Sequence, residues 1–269
     1  MPTFTGARGT VHYREWLVDE PRANYVFLHG FGEHSGLYDR LAEALGSAGL
    51  NVFALDQIGH GLSEGERGLV ESIDDLVANG RILADIASVR PPDLPLILAG
   101  HSLGGVTAAL TLARHPRDYD ALVLSGTPLS ALPWVAELAA SDATELALDP
   151  AELSADPWYL DALENDPLSF TSAHVARTLG GTLPPAWDEI ALLLPGSTAP
   201  ILLVHGESDP LVPVEDVRAW QSRLPAAHLA TFPGARHDVL NETVHHEVAL
   251  AITGFVAGVL HDPAPALRG

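Results

Sequence analysis

Apolar residues fall into short unbroken blocks along most of this chain. Between the blocks they recur every three or four residues. NYVFLHG (24–30), LNVFALD (50–56), LPLILAG (94–100), DALVLSG (120–126) and PILLVHG (200–206) are blocks of the first kind. They lack in–out alternation, which predicts strands buried on both faces of a parallel sheet covered by helices. TVHYREWLV (10–18) and HLATF (228–232) add two predicted strands. Helical spacing fills the intervals. Leu41, Ala44, Leu45 and Ala48 share a face within 38–49, where Gly49 fits the stop. Ile73, Leu76, Val77, Ile82 and Ile86 do so within 72–89, and Val106, Leu110 and Ala113 within 103–115. Helical patterns also occupy 214–224 and 242–260. The alternation predicts an α/β fold, with a mostly parallel central sheet and helices on both faces.

Residues 128–195 break the rhythm. They hold Pro128, Pro133, Pro150, Pro157, Pro167, Pro184 and Pro185, with Trp134, Trp158 and Trp187. PWVAELAA and DPWYLDALEND read as short helices there. The expected organisation is therefore a core of 1–127 and 196–261, a helical cap inserted at 128–195 over the carboxyl edge of the sheet, and a frayed tail at 262–269. A chain of 269 residues is within the range of a single α/β domain of this kind.

Composition narrows the chemistry. There is no cysteine, which removes disulfides, thiolate nucleophiles and cysteine metal sites. Every one of the 14 basic residues is arginine, so lysine Schiff bases and the P-loop lysine are excluded. The net charge of −21 argues against nucleic acid and against strong binding to an anionic membrane. No stretch approaches the ~20 apolar residues of a membrane span. The first residues lack a basic start followed by an apolar block, so a cytoplasmic protein is expected.

The stretch PLILAGHSLGGVTAAL (95–110) carries a Gly-x-Ser-x-Gly, and Gly61-Leu62-Ser63-Glu64-Gly65 matches the same pattern. Ser63 is flanked by glycine and charge with no helix directly after it, and reads as loop. Ser102 follows a strand and opens a helix, the context of a nucleophile elbow. A serine N-cap is the competing reading. A serine nucleophile needs a base and the base needs an orienting acid. In ILLVHGESDPLVP, Asp209 lies three residues beyond the Gly206 that ends a strand, with Glu207 its nearest rival. In HLATFPGARHDVLNE, His237 follows the last strand and precedes the last helix. His245 and His246 are placed mid-helix, and His228 starts a strand. Both Asp209 and His237 would reach the strand edge where ligands bind in open α/β sheets. The oxyanion needs donors, and the backbone N–H groups of Leu103 and Phe31 are the candidates. A dinucleotide reading of Gly30-Phe31-Gly32 fails because Ser35 stands at the third glycine position, although Asp56 ends the next strand. A zinc helix fails because His246-Glu247 is followed by Leu250 in place of the second histidine. Neither cofactor nor metal is expected.

Taken together, HGFGEHSGLYDRLAEAL, VFALDQIGHGLSEGERG, AGHSLGG, ENDPLSF, LLVHGESDPLVP and PGARHDVLNE resemble the monoacylglycerol lipase group of α/β-hydrolases, also called the serine aminopeptidase-like or "lysophospholipase" group. The resemblance runs from about residue 8 to residue 258. It implies the α/β-hydrolase fold, a Ser102–Asp209–His237 triad, and Phe31 and Leu103 as oxyanion donors. It places Glu33 and His34 near the alcohol-leaving side and makes 128–195 the cap that forms the acyl channel. The chain departs from the group twice. Leu37 stands where an arginine is typical in the HGxGEHSGRY stretch. Leu163 stands where a tyrosine often precedes the ENDPL segment. Both exchange a polar group for an apolar one, which favours a less polar alcohol or another monoester. The abundance of Ala, Arg, Asp and Pro without Lys suggests a high-GC bacterial source.

The expected activity is serine-dependent hydrolysis of monoacylglycerols or similar short- to medium-chain monoesters. The same triad acting on amides, or in acyl transfer, is the alternative, and a binding protein with a vestigial triad is the third reading. The expected partner is a small-molecule or lipid ester, with room for transient contact between the cap and a lipid surface. Leu129, Leu132, Trp134, Val135, Trp158 and Leu163 either line a substrate channel or pack the cap onto the core.

Overall fold

The computed structural model describes residues 2–139 and 147–261. Eight strands make one sheet: β1 (Thr3–Gly6), β2 (Gly9–Trp16), β3 (Ala23–Leu28), β4 (Leu50–Leu55), β5 (Leu96–His101), β6 (Ala121–Ser125), β7 (Ile201–Gly206) and β8 (Ala227–Phe232). Their order is β1-β2-β4-β3-β5-β6-β7-β8. The two N-terminal strands are antiparallel to their neighbours, and β4-β3-β5-β6-β7-β8 run parallel. Every residue of β3 to β7 is buried, which is why their sequences are continuous apolar runs.

Alternate residues of each strand feed two cores. Val26 and Leu28 of β3 pack on one face with the helices α2 (Ile73–Ser88), α3 (Ser102–Arg114) and α8 (Val214–Arg223). Tyr25 and Phe27 pack on the other with α1 (Asp39–Ser47) and α9 (His245–His261). Between β6 and β7 lie α4 (Pro133–Ala139), α5 (Pro150–Leu153), α6 (Pro157–Asn165) and α7 (Val175–Leu193). Asp149 and Asp156 cap α5 and α6 by accepting from the Ala151 and Tyr159 amides, and Pro150 and Pro157 occupy the first turns, where no N–H is needed.

Several elements differ from expectation. β1 has no counterpart among the predicted strands. It is a short, half-exposed segment that exists by pairing with β2. α7 was hidden by Pro184 and Pro185. Its inward face, Val175, Thr178, Leu179, Thr182, Leu183, Ala186, Trp187 and Ile190, keeps the 3.6-residue period through both prolines. His245 and His246 begin α9 and are not mid-helix, because the chain still turns at Glu242, which binds the Thr243 amide with its own carboxylate. Residues 262–269, expected as a tail, lie outside the described residues.

Candidate active site

The turn from β5 into α3 sets the centre of the site. Ser102 has φ of +49°, a left-handed conformation that costs a non-glycine residue on the order of 1–3 kcal/mol. The turn is so tight that a Cβ on Gly100 would lie 2.3 Å from the Gly104 carbonyl oxygen, and one on Gly104 would lie 2.1 Å from the Leu28 carbonyl oxygen. Glycine at both positions lets α3 start directly against β3 and lifts the Ser102 side chain off the sheet. Ser102 and Leu103 open α3, where N–H groups have no partner within the helix and the dipole is positive.

His237, in the loop after β8, brings its Nε2 to 3.0 Å from Ser102 Oγ. Its Nδ1 is 2.8 Å from Asp209 Oδ2, in the loop after β7. Asp209 Oδ1 accepts the amides of Leu211 (2.9 Å) and Val212 (3.0 Å), which orients the carboxylate towards the ring. Burial works against charge on both groups, and each partner opposes that effect on the other. The Asp209 charge and hydrogen bond, with Asp238 and Glu33 behind them, lift the His237 pKa above its usual value. The His237 contact and the backbone donors hold the Asp209 carboxyl below its usual range. His205, which the sequence reading passed over, backs this pair. Its Nε2 donates to the Val212 carbonyl (2.9 Å) and lies 3.4 Å from Asp209 Oδ2.

A narrow pocket meets Ser102, Leu103, His237 and Phe31. The Phe31 amide sits in the loop after β3 and takes no acceptor among the described residues. Apolar side chains complete the walls: Leu132, Trp134, Leu179 and Leu183 from the β6–β7 segment, and Leu211 and Val212 beside Asp209. Trp134 also donates from Nε1 to the Leu211 carbonyl at 3.1 Å.

The remaining expected contacts divide. Glu33 borders the cavity, but its carboxylate is engaged. It accepts from the Gly30 amide (2.7 Å), Tyr38 (2.6 Å) and Tyr159 (2.5 Å). Burial and the neighbouring Asp238 push its pKa up to about 8 against those donors. His34, Leu37, Leu163 and Trp158 stand off the cavity wall. His34 Nε2 is bound to Asp166 (3.1 Å), and its Nδ1 accepts the Gly36 amide. Leu37 and Leu163 are buried in the core on the α1 and α9 face. Trp158 is 44% exposed under the Arg40 guanidinium, 4.3 Å from its ring centre. Glu207 points away to Thr231. Ser63 is structural: its hydroxyl donates to the Asp56 carbonyl and accepts the His12 amide. Asp56 binds the Ser35 amide and hydroxyl and the Leu62 amide, so it braces two loops and presents no free carboxylate to a ribose.

Glu33, His101 and Asp238 bring potential metal-binding atoms within 4.8 Å of one another. Each is already committed. His101 Nδ1 donates to the Ser125 carbonyl, and burial lowers its pKa to about 4. Asp238 accepts from Leu240 and Asn241. The trio is a hydrogen-bonded floor beneath the site.

The family model described as serine aminopeptidase, S33, matches residues 19–244. The chain belongs to this family of α/β-hydrolases. A monoacylglycerol lipase of Mycolicibacterium smegmatis is 35% identical over 96% of this chain and 97% of its own length. The human monoglyceride lipase is 35% identical over 78% of this chain and 74% of its own. The crystal structure of the Paleococcus ferrophilus monoacylglycerol lipase superposes with a TM-score of 0.75 at 26% identity, covering 92% of this chain and 98% of that one. This α/β-hydrolase is a serine hydrolase, and carboxylic esters are its substrate class.

Proposed function

We propose that the protein cleaves small or medium-chain carboxylic monoesters, monoacylglycerols among them, through an acyl-enzyme on Ser102. The observation that carries this reading is the unbroken Ser102–His237–Asp209 line, at 3.0 and 2.8 Å, opening into an apolar cavity. Ser102 Oγ attacks the ester carbonyl while His237 Nε2 takes its proton. The carbonyl oxygen becomes an oxyanion, held by the Leu103 and Phe31 amides. Asp209 keeps the ring oriented and stabilises its charged form. His237 then returns the proton to the departing alcohol. Water, deprotonated by the same ring, releases the acid and regenerates Ser102.

Residues 128–195 act as a cap in this reading. Their Leu132, Trp134, Leu179 and Leu183 receive the acyl chain. Trp158 (44% exposed), Leu192 (79%) and Leu193 (38%) give the cap an apolar exterior suited to transient contact with a lipid surface. Support for a glycerol ester comes from the similarity to the two lipases. Among the described residues, no helix is long and apolar enough to cross a membrane.

The test is a panel of esters in which acyl and alcohol parts vary independently, with 1-monoacylglycerol and matched amides included. Esters are expected to turn over, amides far more slowly, and Ser102→Ala to hydrolyse none. Undiminished turnover by Ser102→Ala would overturn the reading.

A further inference from the structure

The amide that faces the oxyanion belongs to the Gly30–Phe31 peptide, so whatever holds that peptide acts on the reaction. His29 holds it directly, and Glu33 holds the peptide just before it. His29 Nε2 accepts the Gln57 amide at 2.9 Å, which leaves the ring proton on Nδ1. Nδ1–H donates to the Gly30 carbonyl at 2.7 Å. Burial pushes the His29 pKa down to about 3, so the ring is neutral. In a trans peptide the carbonyl and the following amide point in opposite directions. Fixing Gly30 O therefore aims Phe31 N–H. Glu33 Oε2 accepts the Gly30 N–H at 2.7 Å, which fixes the adjoining His29–Gly30 peptide and so the backbone from which the Phe31 amide departs.

Glu33 passes this hold to a distant part of the chain. Its Oε1 accepts the phenol of Tyr159, which projects from α6 and is fully buried. Tyr159 is not on the cavity wall. Two more ties join the same loop to the turn after α6. The Phe170 amide donates to the Gly32 carbonyl at 2.9 Å, and His34 binds Asp166 at 3.1 Å. A Cβ on Gly32 would lie 2.0 Å from the Phe170 carbonyl oxygen, so loop and turn are pressed together.

We infer that Tyr159 is a positioning residue for ester hydrolysis: through Glu33 it seats the 30–34 loop, so that the Phe31 amide is aimed at the oxyanion only while α6 is docked. This rests on the reading of Phe31 as an oxyanion donor. A substrate group need not touch Tyr159. The effect runs from phenol to carboxylate to backbone. It appears in the transition state, where the oxyanion forms, and not in ground-state binding.

The experiment is a double-mutant cycle with Tyr159→Phe and Glu33→Gln, read on a p-nitrophenyl ester. Tyr159→Phe keeps the ring and removes only the hydroxyl. It is expected to lower kcat about tenfold with KM within about twofold, a smaller loss than the roughly hundredfold cost of deleting an oxyanion donor. In the Glu33→Gln background it should cost no more than about twofold further, because the link is already broken. An unchanged kcat, a loss confined to KM, or losses that multiply would each overturn the inference. If Tyr159→Phe does not fold, Glu33→Gln alone breaks the same link. It should show the same kcat-selective loss, and an unchanged kcat would again overturn the inference. Hydrolysis surviving in Ser102→Ala would instead sink the reading of the site itself, so the two failures are distinguishable.

Discussion

At the scale of single residues, His237 is the group whose ionisation the proposed reaction must obey. Only its neutral form can take the Ser102 proton. Its pKa is raised, so neutral rings are lost as pH falls through a value above the usual 6.5. The kcat/KM profile should therefore rise with pH, with its midpoint above 6.5, and a midpoint well below that would contradict the geometry of the His237–Asp209 pair. Asp209→Asn keeps the shape but offers the ring the wrong tautomeric partner. Steady-state assay should show kcat lower by about ten-thousandfold. Ser63→Ala is the contrasting case. It strips the acceptor from the His12 amide and should cost about 1–2 kcal/mol in denaturant unfolding, while turnover per folded molecule is kept. Ser102, Asp209 and His237 were legible because chain order and strand-end position constrain them strongly. The places of Leu37, Leu163 and Trp158 were not, because a side chain's inward or outward direction depends on the partner across the fold. His29, His205 and Tyr159 left no local signal, since each works through a contact with a residue or backbone group that the linear sequence does not point to.

At the scale of elements, the strands were readable and one long helix was not. Burial on both faces writes itself into β3 to β7 as uninterrupted apolar runs. α7 carries two adjacent prolines, which lack amide donors and would normally end a helix. Tertiary packing overrides that cost, because its inward stripe is buried against α3 and α4. β1 was missed for the opposite reason: its four residues have no core of their own and are ordered by pairing. The junction of β5 and α3 is the element on which the proposed chemistry depends most. Gly104→Ala would force a Cβ to 2.1 Å from the Leu28 carbonyl oxygen, where only backbone could yield. Thermal or denaturant unfolding should show a loss of about 3 kcal/mol or more, or no folded protein.

At the scale of the whole molecule, the β6–β7 segment joins both loops that build the site. Around α5, the Asp238 amide donates to the Leu153 carbonyl, and Ser154 donates to the Asn241 carbonyl, tying down the loop that carries His237. Around α6, Tyr159, Asp166 and Phe170 tie down the loop that carries Phe31. The sequence pattern predicted an insertion over the sheet edge but could not foresee these ties, which link positions more than 80 residues apart. The same segment bounds the pocket at Ser102, with Trp134 bridging to Leu211. Trp134→Ala should open that end and shift the preference among p-nitrophenyl esters towards longer acyl chains, as an acyl-length series would show. All of this presumes that one serine carries the acyl group. The most direct measurement is to treat the protein with a fluorophosphonate and map the adduct by peptide mass spectrometry. The adduct should fall on Ser102 alone and should vanish, together with ester turnover, in Ser102→Ala. An adduct on Ser63 or another serine, or a Ser102→Ala protein that still hydrolyses esters, would contradict the account.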